Sequence, residues 1–427
     1  MQPSEIATAV EARLPFAEAL FADLAAATGD GDGVTRPAWS AADERAADRV
    51  AEAAEALGLE VDRDPAGNLY ATLPGRDRAA PALLTGSHLD SVPVGGNYDG
   101  FAGVAAGLTA LAAFRDLGVE PPRDIRAVGL RGEESVWYGI AYIGSRLAVG
   151  SLDVGEIGRL RRADTGRSLS DHMAECGIDL AALRDARAPY ISADNTKGFL
   201  ELHIEQGPVL VDRDVPVAIP TVIRGNRRFP FARCLGEYAH SAAVPRTLRR
   251  DAALAVVELV RTLDELWQAR EAEGEPDTVF TVGQLFTDPA QHAMTKVPGE
   301  CAFSLNFGGT TEEFLDEMRS QTLACAAEIG RRRNVEFQLG DCVGSDPTAL
   351  DPSLRARLVS MAGALDIPLH EMATVGHDAS VFARAGIPAA MVLVRNQHGS
   401  HNAREAMEMA DFGLGTQILA VTLLDLA

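Results

Sequence analysis

The chain has 427 residues, 47% hydrophobic and 23% charged, a balance that excludes wholesale disorder and suggests two or three folded domains. Its 61 acidic residues against 39 basic ones leave a net charge of -22, which argues against nucleic acid as a partner and against docking on anionic membranes. No apolar run approaches the roughly 20 residues that span a bilayer, no secretory signal is visible, and the five cysteines are scattered without a CxxC pair, so a cytoplasmic protein with reduced thiols is expected.

From about residue 40 the pattern alternates between helix and strand. Residues 41–57 carry Ala and Leu at helical spacing, with Gly58 placed as a C-terminal stop. GNLYATLPG and PALLTGS are short apolar runs closed by Gly and Pro, as strands are. Residues 101–114 read as a buried helix and 125–131 as the next strand, a β-α-β grammar that implies a mostly parallel sheet covered on both faces. Residues 151–198 are polar and Gly-rich and read as an insertion over the sheet, which resumes with FLELHIEQG at 199–207. Near 222 the grammar changes to alternating apolar and polar strands with two amphipathic helices, 250–271 and 312–331. Thr310 and Glu313 suit a capping box for the second helix, and Arg331–Arg333 suit its C-terminal dipole. Helix 353–364, GHDASVFARAG and AAMVLVR restore the first grammar. The expected fold is therefore α/β: a mixed, mostly parallel sheet flanked by helices over 1–221 and 343–427, with an α+β domain inserted at 222–342.

Acids and imidazoles follow the ends of the predicted strands: His88, the pair Glu133–Glu134, His203 and His401. Ligands of open α/β sheets bind outside the carboxyl ends of the strands, so separate segments deliver these groups to one edge. Each piece has a plain alternative. His88 and Asp90 are either a metal ligand with the carboxylate that fixes its tautomer, or a strand-end His with a solvated neighbour. Asp99 is either an N-cap for helix 101–114 or a bridge between two ions. His203 alone suits a core imidazole, and His401 an ordinary loop residue. Jointly, the set suits two divalent ions (Zn, Mn, Co or Ni) that need no Cys. Two such ions about 3.5–4 Å apart activate a water and polarise a carbonyl, and a spare Glu handles the proton, which amounts to metal-assisted hydrolysis of a C–N bond.

GSHLDSVPVGGNYDG (86–100), GEES (132–135), ELHIEQGPVL (201–210), AHSAAVPRTLRRDA (239–252), GHDA (376–379) and GSHNAREA (399–406) together resemble the amidase/hydantoinase/carbamoylase family of dinuclear metallo-amidohydrolases. The resemblance spans nearly the whole chain, and His at 203 points to the carbamoylase branch. It implies that His88 and His203 hold one metal and Glu134 and His401 the other, with Asp99 bridging. It makes Glu133 the general base and later acid, Asp90 the partner of His88, Gln206 a substrate contact and His240 the oxyanion donor. It also implies that the inserted domain is a lid carrying homodimerisation, and that the substrate is a small amide or ureido compound.

Three departures from the family pattern concern the substrate. The Asn and Arg that clamp an α-carboxylate in carbamoylases are Thr295 and Gly308 here; the lid His motif continues SAAVPR; and Trp137 falls in the stretch that usually reads Gly-Ser-Arg-Phe. Losing a bidentate Arg contact removes most affinity for a simple N-carbamoyl amino acid. Either Arg246 or Arg224 supplies the charge from a new direction, or the substrate carries a bulkier, more apolar group there, facing Trp137. The other readings are a metallo-exopeptidase or N-acyl-amino-acid deacylase, and a metal-free two-domain binding protein.

Overall fold

The computed structural model describes residues 1–186, 188–274 and 277–427. The chain folds as two compact units, Met1–Thr221 with Ala349–Ala427, and Val222–Thr348. Residues 343–348, grouped with the first domain by the sequence reading, fall in the second unit because strand Val343–Ser345 pairs with strand Gly225–Leu235.

In the first unit, strands Ile125–Leu130, Ala82–His88, Thr196–Ile204 and Ala389–Val394 lie side by side and parallel. Antiparallel strands Leu69–Leu73 and Glu60–Arg63 extend one side, and Val217–Ile223 pairs antiparallel on the other. The expected α/β fold is the observed one. Continuous apolar runs such as AAMVLV, buried at every residue of strand Ala389–Val394, are what a sheet covered on both faces requires. Helix Phe101–Asp116 is buried from Phe101 through Phe114. Helices Pro3–Ala12 and Leu14–Thr28 precede the region where the sequence reading began, and their Val10, Leu20, Phe21 and Leu24 join the main core. Helix Met409–Leu426 is long and apolar enough to cross a bilayer by length and composition, but here it is a core helix, with Phe412, Ile418, Leu419 and Leu423 fully buried.

The stretch expected to lie over the sheet builds a satellite core: Leu152, Ile157, Leu169, Met173 and Leu183 pack with Trp39, Trp137, Tyr138 and Ile143. Arg187, within it, lies outside the described residues.

The second unit is an antiparallel sheet whose main path runs Leu285–Phe286, Glu300–Gly309, Gly225–Leu235, Glu336–Gln338. Strand Glu300–Gly309 alternates buried and half-buried residues before closing on three buried ones, as one-sided sheets do. Helices Ala252–Ala272 and Glu312–Arg333 pack into the same core through Leu259, Leu263, Leu315 and Met318. The second helix is capped by Thr311, whose hydroxyl accepts from Phe314 N at 3.3 Å, not by Thr310. Of two adjacent threonines, the one in extended conformation immediately before the first helical residue takes the role.

Candidate metal centre

Parallel strands deliver the site. His88 is the last residue of its strand, His203 sits one residue from the end of Thr196–Ile204, Glu133–Glu134 follow Ile125–Leu130, and His401 follows Ala389–Val394. Gly100, at φ +68, turns the chain from Asp99 into helix Phe101–Asp116; a Cβ there would stand 2.4 Å from the His88 ring. Only glycine fits both the left-handed backbone and that close approach.

Asp99 is the centre of the arrangement. Its Oδ1 lies 3.5 Å from His88 Nε2 and 3.3 Å from His203 Nε2, while its Oδ2 lies 3.4 Å from His401 Nε2. His401 Nε2 is in turn 3.4 Å from Glu134 Oε1, a buried oxygen with no hydrogen-bond partner among the described residues. His88 Nδ1 donates to the Asp90 carbonyl at 2.9 Å and His203 Nδ1 to the Ile204 carbonyl at 3.0 Å, so each ring spends its Nδ1–H on the backbone and turns its Nε2 toward Asp99. Donor atoms of His88, Asp99 and His203 lie within 4.8 Å of one another, as do those of Asp99, Glu134 and His401. Imidazoles and carboxylates converging without a thiol, one carboxylate turning an oxygen to each group, fit divalent cations.

Asp90 stands beside His88, with its Oδ1 3.7 Å from His88 Nδ1. His88 bonds to its backbone carbonyl, and the carboxylate instead accepts Glu133 N and Glu134 N, each at 3.1 Å. Two consecutive amides match two carboxylate oxygens, so the Asp90 carboxylate fixes the Glu pair while its backbone carbonyl holds the His88 Nδ1–H. The same loop is held from below by fully buried Arg131, which donates to Asp43 and Glu44 at 2.6 Å each, and by Tyr142 N, which donates to Glu133 O at 3.0 Å.

The charges are crowded. Burial, then the Asp99 charge, pushes the Glu134 carboxyl up to about 7. Burial raises Glu133 well above the usual carboxylate range against the opposing pull of His88. Burial also works to raise Asp99, but hydrogen bonds from His203, His401 and His88 overcome it and hold it well below that range. A bound cation reverses such penalties, because it becomes the largest local charge.

Gln206, expected at the substrate, donates from Nε2 to Asp99 Oδ2 at 2.8 Å and keeps its Oε1 buried without a partner among the described residues. Trp137 does not face open space: it is 4% exposed, and its indole N–H donates to the Ser91 carbonyl at 2.8 Å. The remaining expected residues lie in the second unit. His240 is exposed, and its Nδ1 accepts Ala242 N at 3.2 Å and Ala243 N at 3.3 Å, which leaves the proton on Nε2. Thr295 offers its carbonyl to Ser241 N at 2.7 Å. Gly308 is buried between strands, with Val279 Cβ 3.2 Å from where its own Cβ would stand. Arg224 is engaged by Asp277, at 2.7 Å to the carbonyl and 2.9 Å to the carboxylate, and Arg246 is exposed in a short turn.

Several supporting residues were not read from the sequence. Ser400 Oγ sits within hydrogen-bond reach of both Asp99 Oδ2 and Glu405 Oε2, with one proton to donate to either, and Glu405 Oε1 accepts Tyr98 N and Asp99 N. Glu201 accepts Ser87 Oγ at 2.7 Å and Ala379 N at 2.9 Å, and the His377 ring lies tilted against His203, 4.4 Å between centroids. Arg36, fully buried, donates to the Leu89 carbonyl at 2.7 Å beside His88. Glu201 had a signal, since it stands two residues before His203 on one strand and so on its face.

The family described as "Peptidase family M20/M25/M40" matches residues 84–425. The chain is 32% identical over 398 residues to the N-carbamoyl-L-amino acid amidohydrolase of Geobacillus stearothermophilus, covering 92% of this chain and 94% of that protein. It is 28% identical over 425 residues to the allantoate amidohydrolase of Escherichia coli (strain K12), covering 98% of each. Among solved structures, an amidase of the hydantoinase/carbamoylase family from Burkholderia multivorans superposes with a TM-score of 0.87 at 26% identity, over 96% of this chain and 98% of that one.

Proposed function

Because the chain belongs to peptidase family M20/M25/M40, we propose that it is a dinuclear metal-dependent amidohydrolase that cleaves the C–N bond of a linear ureido, N-carbamoyl-type compound. It is a hydrolase of carbon–nitrogen bonds other than peptide bonds, in linear amides. The observation that carries the reading is Asp99, with one oxygen toward His88 and His203 and the other toward His401, beside Glu134.

In this reading His88 and His203 would hold one ion and Glu134 and His401 the other, with an oxygen of Asp99 turned to each group. Ions bound there would supply Lewis-acid chemistry, a water of lowered pKa and a polarised carbonyl. Glu133, tied by its amide to Asp90, takes the proton of the attacking water and delivers it to the departing nitrogen. Gln206 and Ser400 orient Asp99 through its Oδ2. His240, protonated on Nε2, donates to the oxygen that gains charge as the carbonyl becomes tetrahedral.

The reading is tested by a substrate panel. Metal-loaded protein is expected to turn over N-carbamoyl-L-amino acids or allantoate at least tenfold faster, in kcat/KM, than dipeptides and N-acetyl amino acids. Chelation should abolish that activity, and added divalent metal should restore it. A preference for dipeptides or N-acetyl amino acids would replace the assignment by an exopeptidase or deacylase.

We also infer a homodimer through the second unit. Leu254 and Val257 are half exposed on helix Ala252–Ala272, as are the side chains of the short edge strand Leu285–Phe286, and Val257 and Leu285 line one groove. An exposed apolar helix face beside an unpaired strand edge calls for a partner. Light scattering is expected to give twice the 45.3 kDa of one chain, and Val257→Glu to shift the protein toward one chain; a monomeric wild-type protein refutes the inference.

A further inference from the structure

Tyr142 holds a left-handed backbone, φ +63, just before the short helix Ile143–Ala148. A bulky residue in that region is uncommon and persists where its surroundings fix it. Three hydrogen bonds do so here. Its N–H donates to the Glu133 carbonyl at 3.0 Å, and its own carbonyl accepts Arg146 N at 2.9 Å and Ser145 Oγ at 3.2 Å. The side chain runs from there to the loop before helix Ala379–Arg384, where the hydroxyl oxygen lies 2.0 Å from the point a Cβ on Gly376 would occupy. Gly376 is exposed, and the next residue, His377, is the one whose ring lies against His203. One end of Tyr142 is thus tied to Glu133 and the other reaches the loop beside His203, all within the first unit.

The hydroxyl itself is unused. Tyr70, Tyr138 and Tyr190, in the same unit, donate to Asp64, to the Ala38 carbonyl and to Asp62. The Tyr142 hydroxyl forms no hydrogen bond among the described residues, and the residue is half-buried. Burial, and then the charges of Glu133, Asp378 and Glu201, push the phenol well above its ordinary value, so it keeps its proton at neutral pH.

We propose that Tyr142 is a catalytic residue whose hydroxyl donates a hydrogen bond to a substrate oxygen beside the nitrogen that Glu133 protonates. The assignment rests on the amidohydrolase reading for the bond that is cleaved. A donor left unbonded on a backbone held in an uncommon conformation is ready for an acceptor from outside. Ionised Glu133, Asp378 and Glu201 only accept, so beside them the phenol supplies the O–H that a substrate oxygen needs. Gly376 belongs to the same device, because its missing side chain is the room the hydroxyl occupies. Its backbone is outside the left-handed region, so alanine is unwelcome there for the contact and not for the conformation.

Tyr142→Phe removes only the oxygen. It is expected to keep the wild-type metal content and Tm, and to lower kcat/KM about 5- to 30-fold on the compound that the wild-type protein turns over best among ureido compounds, dipeptides and N-acetyl amino acids. Gly376→Ala should cost as much by displacing the hydroxyl. Added to Tyr142→Phe it should cost nothing more, since the new methyl then meets only the ring carbon Cζ at 3.4 Å. Tyr142→Phe with kcat/KM within twofold of wild type, or with metal released, overturns the contact and leaves the amidohydrolase reading standing; so does a loss in the double variant that equals the sum of the two. A wild-type preference for dipeptides or N-acetyl amino acids removes that reading, and the same variants then judge Tyr142 on the preferred compound. A protein that turns over none of the three classes refutes both.

Discussion

Glu133→Gln is expected to keep the full complement of bound divalent metal and to lose about 10²- to 10⁴-fold in kcat. The substitution is nearly isosteric and leaves the backbone untouched, so Asp90 Oδ1 still accepts the amide of residue 133 and Asp90 Oδ2 that of Glu134. What disappears is an oxygen able to take a proton from water and return it to nitrogen. The neighbouring pair makes the contrast sharp. Glu134 turns Oε1 toward His401, inside the group with Asp99, whereas Glu133 shares a group with His88 and Glu134 but not with Asp99. Glu134→Gln should therefore release metal together with activity, while Glu133→Gln separates the two. Metal analysis beside kcat on a hydrolysed ureido compound decides it. Activity above a tenth of wild type in Glu133→Gln with metal in place would mean another group carries the proton.

The difference between the two glutamates shows what the linear chain discloses and what it withholds. That His88, His203, Glu134 and His401 come together follows from strand grammar, because parallel neighbours end on the same side and each residue closes or follows such a strand. The partners within the site do not follow. Asp90 stands two residues from His88, and spacing suggests a carboxylate–imidazole pair; the carboxylate, 3.7 Å from His88 Nδ1, gives its hydrogen bonds to the amides of residues 133 and 134, a choice made by rotamer and loop path. Gln206 reaches Asp99 from a left-handed backbone at φ +65, which no periodicity announces. Trp137 looked available beside the Glu pair, but its indole found Ser91 and the satellite core around Trp39. The first 28 residues form two helices whose apolar positions are mostly alanine, so their amphipathic stripe is faint in sequence and plain once Val10, Leu20 and Leu24 are seen in the core.

Asp99→Asn is expected to have an effect at least as large, through a different loss. Asparagine keeps the shape, and its remaining oxygen can serve one of the two groups, but the other is offered an N–H₂ that cannot coordinate a cation. The negative charge shared by His88, His203 and His401 is also gone. Both cation sites therefore weaken, and kcat should fall by more than about 10⁴-fold, below what loss of a general base alone accounts for. Stability supplies a readout independent of turnover. A ligand at about 100 times its Kd adds about 2.7 kcal/mol to the folded state, so divalent metal should raise the Tm of the wild-type protein by several degrees. In Asp99→Asn that metal-dependent rise, read against the same variant chelated, should largely vanish; the chelated variant should itself melt somewhat below the chelated wild type, because the three imidazoles outweigh burial in favouring the Asp99 carboxylate. Glu133→Gln, by contrast, should keep the wild-type rise. Two variants that both lack activity are thus told apart by melting with and without metal. An undiminished metal response in Asp99→Asn would show that the cations are held elsewhere, and the bridging role would have to be withdrawn.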